Sequence, residues 1–170
     1  MKHLKKIENM SLFMRRKILD ISYLSSQAAH LGGGLSMVEI MATLYSHILN
    51  FDKNNPHWEL RDRFILSKGH GVLCYYSVLL ASGIISEEKF STYFKNESDL
   101  IAHPIMNLNL GIESSNGSLG HGLGMGIGIA YAAKKNESLK YKTYVLLGDG
   151  ECNEGSIWEA IMLAPQLKLD

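Results

Sequence analysis

The segment Tyr144-Val145-Leu146-Leu147-Gly148-Asp149-Gly150-Glu151 is an apolar run that ends in a carboxylate set between two glycines. Ligands of open parallel sheets bind beyond the carboxyl ends of strands, where backbone N–H groups and helix N-termini face outward. A carboxylate placed there repels a phosphate, yet it can hold one through Mg²⁺, whose octahedral shell takes carboxylate and phosphate oxygens together. Gly148 and Gly150 let the backbone approach such a group without a Cβ in the way. Taken alone, Gly-Asp-Gly reads more readily as a cap, with Asp149 closing the start of the next helix.

A second cluster, Gly117-Ser118-Leu119-Gly120-His121-Gly122-Leu123-Gly124-Met125-Gly126-Ile127-Gly128, runs through an apolar stretch. Each glycine costs a helix about 1 kcal/mol against alanine, so something has to offset the run. Gly120, Gly124 and Gly128 share one helical face, and Gly122, Gly126 and Ala130 share another, which permits very close packing. The N-terminal end would also turn bare N–H groups toward an anion. The run lacks the G-x-G-x-x-G spacing of a dinucleotide fingerprint, and no G-K-[ST] of a P-loop occurs in the chain. Of the seven histidines, three sit in turns rich in glycine or proline: Ala29-His30-Leu31-Gly32, Lys68-Gly69-His70-Gly71 and Ala102-His103-Pro104. Imidazole titrates near neutrality, so such positions suit proton transfer or hydrogen bonding to phosphate and sugar hydroxyls. Each alone also reads as an ordinary loop histidine. No H-E-x-x-H or similar spacing argues for zinc, and His3, His47 and His57 read as structural or solvated.

The elements that must position these residues follow from periodicity. Ile7–Gln27 has helical spacing, with Ile7, Met10, Met14, Ile18, Ile21 and Leu24 on one stripe. Glycines 32–34 break it. Ser36 with Glu39 three residues on predicts a capping box that opens a helix over Met37–Leu49. Asn50–Leu60 is a polar loop, Arg63–Leu66 a short buried strand, and Val72–Ser82 an apolar helix closed by Gly83, with Ser86 capping a further short helix. Asp99–Ser118 has no clean period and reads as a long functional loop. Leu119–Lys134 resumes as a helix, Lys142–Leu147 is the best strand, and Gly155–Leu167 returns to helical spacing. Strands separated by helices predict an α/β fold: a doubly wound, mostly parallel sheet flanked by helices.

The length of 170 residues suits one domain, and the shortage of strands leads to the expectation that its sheet is incomplete and continues past Asp170. Hydrophobic residues at 46% and charged residues at 20% are ordinary for a globular chain. Seventeen basic residues balance seventeen acidic ones, so no global field recruits nucleic acid or an anionic membrane, and an anionic ligand needs a local site. Cys74 and Cys152 form no ligand-spaced pair, which fits a reducing cytoplasm. The lysines of Met1–Met10 are not followed by the apolar stretch of a secretory leader. Leu119–Ala133, the most apolar stretch, is too short to span a bilayer.

Together these pieces resemble the transketolase family, and more closely its split form, in which the cofactor half-sites lie on two polypeptides. The resemblance rests on Ala29-His30-Leu31-Gly32-Gly33-Gly34-Leu35-Ser36, on Arg61-Asp62-Arg63-Phe64-Ile65-Leu66-Ser67-Lys68-Gly69-His70-Gly71, and on Ala102-His103-Pro104. It continues through Gly111-Ile112-Glu113-Ser114-Ser115-Asn116-Gly117-Ser118-Leu119-Gly120-His121-Gly122 and from Gly148-Asp149-Gly150-Glu151 to Glu154-Gly155-Ser156-Ile157-Trp158-Glu159-Ala160, in register over nearly the whole chain.

The resemblance implies thiamine diphosphate and Mg²⁺ as cofactors and transfer of a two-carbon ketol unit from a ketose to an aldose, the substrates being sugars or sugar phosphates. It implies Asp149 as Mg²⁺ ligand and Gly148 and Gly150 against the diphosphate. His70, Gly117, Leu119 and Gly120 would line the cofactor. His30 and His103 would assist proton transfers at the thiazolium and the donor hydroxyls, and Glu154 would join a carboxylate network across a subunit interface. The glutamate that activates the aminopyrimidine belongs to a C-terminal, pyrimidine-binding partner subunit, so a dimer or heterotetramer is expected and activity only with that partner. The family's second Mg²⁺ ligand is an asparagine expected beyond Asp170, and Asn153 is too close to replace it. Ser118 stands where the family commonly has proline, and His121 where it has glutamine. Subunits resembling deoxyxylulose-phosphate synthase or 2-oxoacid dehydrogenases use the same cofactor and form the alternative, along with a catalytically silent truncated homologue.

Overall fold

The computed structural model describes residues 2–25, 29–136 and 138–169. In order they form α1 (Lys2–Ser25), α2 (Leu31–Leu35), α3 (Val38–Thr43), β1 (Arg63–Leu66), α4 (Val72–Ala81), α5 (Glu87–Phe90), α6 (Gly122–Lys135), β2 (Thr143–Leu146) and α7 (Gly155–Gln166). β1 and β2 pair in parallel, Arg63 opposite Thr143 through Leu66 opposite Leu146, so both carboxyl ends open on the same edge.

Strand alternation sorts side chains onto two faces. Phe64 and Leu66, with Tyr144 and Leu146, pack into the main core beside Met14 and Ile18 of α1, Met41 of α3 and Tyr75 and Leu79 of α4. Ile65 and Val145 point the other way, toward α6, where a Cβ on Gly126 would collide with Val145. Helices therefore cover both faces, as a doubly wound parallel sheet requires. Among the described residues no helix is long and apolar enough to cross a membrane.

Several expectations hold residue for residue. β1 occupies Arg63–Leu66, and α4 ends where Gly83 takes φ +71°. Ser86 caps α5 by accepting from the Lys89 N–H at 3.1 Å. Others are corrected. α1 begins at Lys2 rather than Ile7, and the predicted end at Gln27 lies outside the described residues. Leu24, assigned to the buried stripe, is 72% exposed, because the core covers the helix only as far as Ile21.

The glycine triplet does not interrupt helical structure but forms α2. A side chain at Gly33 would strike the His70 ring, so glycine lets this turn lie against the turn after β1. The capping box is absent for the same reason. Ser36 ends α2, its N–H bonding Gly32 O at 3.1 Å and its hydroxyl donating to Gly33 O at 3.1 Å, while Glu39 pairs with Arg15 of α1. The helix that follows starts at Val38 and widens into a π turn over Leu44–Ile48. α6 starts at Gly122 rather than Leu119, because Gly120 adopts φ +84° and breaks the helical path.

The long loop 99–118 contains one 3₁₀ turn, Leu108–Leu110, and is tied down on both sides. The Tyr75 hydroxyl donates to Gly111 O at 2.9 Å and the Tyr76 hydroxyl to Ile101 O at 3.1 Å. Arg61, just before β1, binds both oxygens of Glu113 at 2.8 and 2.9 Å.

Candidate functional site

Both strands deliver chemistry from their carboxyl ends. Beyond β1 come Ser67, Lys68, Gly69 and His70, the last three leading into a 3₁₀ turn over Gly69–Gly71. Beyond β2 come Gly148, Asp149 and Gly150, running into a 3₁₀ turn over Gly150–Asn153. The two ends touch: a Cβ on Gly148 would lie 3.5 Å from Cδ of Lys68.

The three turn histidines converge although their sequence positions are far apart. The His30 ring centroid lies 5.7 Å from that of His70 and 6.3 Å from that of His103. Gly69 permits this closeness, since a Cβ there would sit 2.7 Å from Asn116 O and 2.9 Å from the His103 ring. Gly117 borders the same ring, its hypothetical Cβ 3.7 Å from His103 Cδ2. His30, at the start of α2, is exposed, while His70 and His103 are half-buried.

Partial burial holds the His70 pKa below its ordinary value, helped by repulsion from His30, Lys68 and His103 and opposed by Glu151. A histidine depressed in the fold contributes stability that is fully present above its unfolded value and lost as pH falls through the folded one. His70 is therefore neutral at pH 7. Its C2 proton should titrate by NMR with a midpoint below 6.5. The midpoint should rise part of the way in His30→Asn, where burial still acts but one neighbouring imidazole is gone. A wild-type midpoint at or above the ordinary value would contradict this electrostatic picture.

Asp149 and Gly150 are exposed, and no atom lies within 4 Å of where a Gly150 Cβ would stand. That open backbone beside a carboxylate offers the close approach that a phosphate needs. Among the described residues no group of three metal-ligating side chains occurs. A single carboxylate suits Mg²⁺, which keeps waters and phosphate oxygens in its shell, better than a metal that needs a full protein cage. The residues present thus fit a Mg²⁺–diphosphate group.

The expected amides behave differently. Gly120 N–H donates to Glu151 at 2.9 Å, Gly148 N–H to Glu151 at 2.8 Å, and Gly122 N–H to Ser67 Oγ at 3.1 Å. These donors are already engaged inside the protein. Leu119 is 38% exposed at the tip of the turn. Glu154, exposed at the start of α7, leans over Gly120, its Cβ 3.0 Å from the position of a Gly120 Cβ. A cleft of about 500 Å³ opens between this turn and α7, bordered by Asn116, Gly117, His121 and Glu159. Asn116 is buried there, and its Nδ2 has no hydrogen-bond partner. Sequence reading assigned no role to Glu151, Ser67 or the Arg61–Glu113 pair. Their partners are too distant along the chain for any local pattern to reveal.

Fold and site together define an α/β domain that binds a phosphorylated ligand at the carboxyl edge of a parallel sheet. The family model described as the thiamine diphosphate binding domain of transketolase matches residues 13–170, and the chain belongs to the transketolase family. One of the two subunits of apulose-4-phosphate transketolase from Actinobacillus succinogenes is 44% identical over 164 residues, covering 96% of this chain and 59% of the relative. The 6-deoxy-6-sulfo-D-fructose transketolase subunit SqwG of Clostridium sp. (strain MSTE9) is 40% identical over 141 residues, 83% of this chain and 51% of the relative. The chain thus spans a little more than half the length of these curated relatives. The crystal structure of transketolase from Campylobacter jejuni superposes with a TM-score of 0.82 at 30% identity, over 99% of this chain and 27% of that one.

Proposed function

We propose that this chain is the diphosphate-binding part of a two-component transketolase that uses thiamine diphosphate and Mg²⁺. The observation that carries the reading is the gathering of Asp149–Gly150 and the His30, His70 and His103 trio at one edge of the sheet. Thiamine diphosphate supplies the carbon–carbon cleavage chemistry when bound, and a ketol unit passes from a ketose to an aldose. The chain's own residues hold the group and manage protons. Asp149 binds Mg²⁺ beside the exposed Gly150 backbone, and Gly117 and Leu119 border the cofactor. His70, neutral at pH 7, can either donate or accept a hydrogen bond toward the phosphates. His30 and His103 face a common space and can exchange protons with the hydroxyls of a sugar donor.

A partner subunit is part of the proposal. Trp158 and Met162 on α7 are 58% and 62% exposed beside the cleft, an apolar surface that suits a covering chain. Glu154 sits at the edge of that surface. A pyrimidine-binding subunit seated there would complete the site, in a dimer or heterotetramer. The second Mg²⁺ ligand, the sugar or sugar-phosphate substrates and a cytoplasmic location belong to the same proposal.

Calorimetry with thiamine diphosphate, with and without Mg²⁺, tests the reading. Binding should require Mg²⁺ and weaken at least about a hundredfold in Asp149→Ala, a loss on the order of 2.7 kcal/mol. Mg²⁺-independent binding, or equal affinity in the variant, would remove Asp149 from the role. With the partner present, turnover of a ketose donor but not of pyruvate separates transketolase chemistry from the deoxyxylulose-phosphate-synthase and 2-oxoacid-dehydrogenase types.

A further inference from the structure

Glu151 stands two residues from Asp149 yet points inward, and it is only 2% exposed. Its Oε1 accepts from the Ser67 hydroxyl and from Gly120 N–H at 2.9 Å, and its Oε2 accepts from Gly148 N–H at 2.8 Å. Ser67 Oγ accepts in turn from Gly122 N–H at 3.1 Å. One carboxylate thus joins three stretches of chain: the residue after β1, the turn before α6, and the residue before Asp149. Gly120 is held from its other side as well, its carbonyl accepting from Ser156 Oγ at 2.9 Å.

Burying a carboxylate is costly unless its lone pairs are met, and here donors meet both oxygens. The amides that a glycine turn would offer to an external anion are taken by this internal one. An external diphosphate then meets the outer side of the same turn, where Asp149 and Gly150 are exposed. We propose that Glu151 is a positioning residue, an internal anion that clamps the β1, glycine-turn and β2 ends together and so sets how Asp149–Gly150 meets a diphosphate. This rests on the proposed function for the identity of the ligand, but the clamp itself does not.

The test separates the two. Glu151→Gln keeps the shape but turns an amide N–H toward Gly148 N–H or toward the Ser67 and Gly120 donors, leaving donor against donor. Ser67→Ala, which removes one donor and the acceptor of Gly122, is the second variant should the first fail to fold. Without ligand, hydrogen exchange at Gly120 and Gly148 in the full chain should speed at least about tenfold in Glu151→Gln, while Ile65 and Val145 amides keep their protection. The dissociation constant for thiamine diphosphate with Mg²⁺ should rise about 10–100-fold, as for other groups that orient a ligand-bearing residue. Unchanged exchange at both glycines overturns the clamp. Faster exchange with an affinity within about twofold of wild type leaves Glu151 a purely structural residue and overturns the positioning role. Absence of binding by the wild-type chain defeats the functional reading, and the positioning role with it, whereas the exchange result still reports on the clamp.

Discussion

Arg61→Ala is expected to lower the free energy of unfolding by about 3–5 kcal/mol, the usual result of stripping one partner from a buried ion pair. The Arg61 and Glu113 side chains are 8% and 9% exposed, and the guanidinium reaches both carboxylate oxygens at 2.8 and 2.9 Å. Arg61 also donates to Trp58 O at 2.9 Å, so its loss leaves an unmet carbonyl as well as an unmet charge. Arg63 offers little replacement, because its Nε is 4.0 Å from Glu113 and its guanidinium stacks on Tyr141 at 4.4 Å. Burial already pushes the Glu113 carboxyl above its ordinary value, while Arg61 and Arg63 pull it back. Removing Arg61 lets it rise further. A carboxyl raised in the fold contributes stability that is present below its unfolded value and lost as pH rises through the folded one. The deficit of the variant should therefore be largest near pH 7 and shrink on acidification. Urea unfolding at several pH values checks both the size and the slope. A deficit below about 1 kcal/mol, the range of an exposed pair, would show that the pair is not buried in solution. The double variant Arg61→Met, Glu113→Leu should recover much of the loss, since apolar residues can replace a buried pair at little cost. Because Glu113 lies in the loop that carries His103 and Gly117, the single variant should also loosen the histidine trio.

What could be read from the residues alone was whatever local chemistry decides. The run Arg63–Leu66 is bounded by polar residues, and Gly83 and Ser86 stop and start helices by rules that span four residues, so those limits matched. The glycine triplet failed because its meaning is tertiary: Gly33 is needed for contact with His70, thirty-seven positions away, and local propensity treats it as a breaker. Ser36 and Glu39 have the spacing of a capping box, yet Glu39 gains more from Arg15 of α1, a partner no window around residue 36 contains. Within the site, the histidine turns and Gly148-Asp149-Gly150 were visible as motifs. Their convergence could be inferred only through resemblance to a family. Glu151 carried no signal, since its Ser67 and Gly120 partners lie 84 and 31 residues away.

Within α6, glycines of identical local sequence character should respond with opposite sign. A Cβ on Gly122 would stand 2.7 Å from Ser67 Cα and closer still to its side chain. Backbone cannot swing aside as a side-chain tip can, so Gly122→Ala forces α6 away from the end of β1. The expected cost is about 1–3 kcal/mol for overpacking, with about 1 kcal/mol more if the Gly122 N–H loses Ser67 Oγ. Gly124 and Gly128 lie on the other face, exposed, with nothing within 4 Å of either Cβ position. Alanine there should stabilise the chain by about 0.8–1 kcal/mol each, the difference in helix propensity. Thermal or urea unfolding of the three single variants decides the matter. Destabilisation at all three would mean that the second face is also packed in solution, and stabilisation at all three would mean that α6 does not rest on Ser67. The contrast reaches the site because Ser67 and Gly122 are both part of the Glu151 network. Gly122→Ala should therefore disturb Mg²⁺-dependent binding of thiamine diphosphate, and Gly124→Ala should leave it unchanged. The first glycine face serves the architecture of the diphosphate turn, while the second only lowers helix stability in the isolated chain.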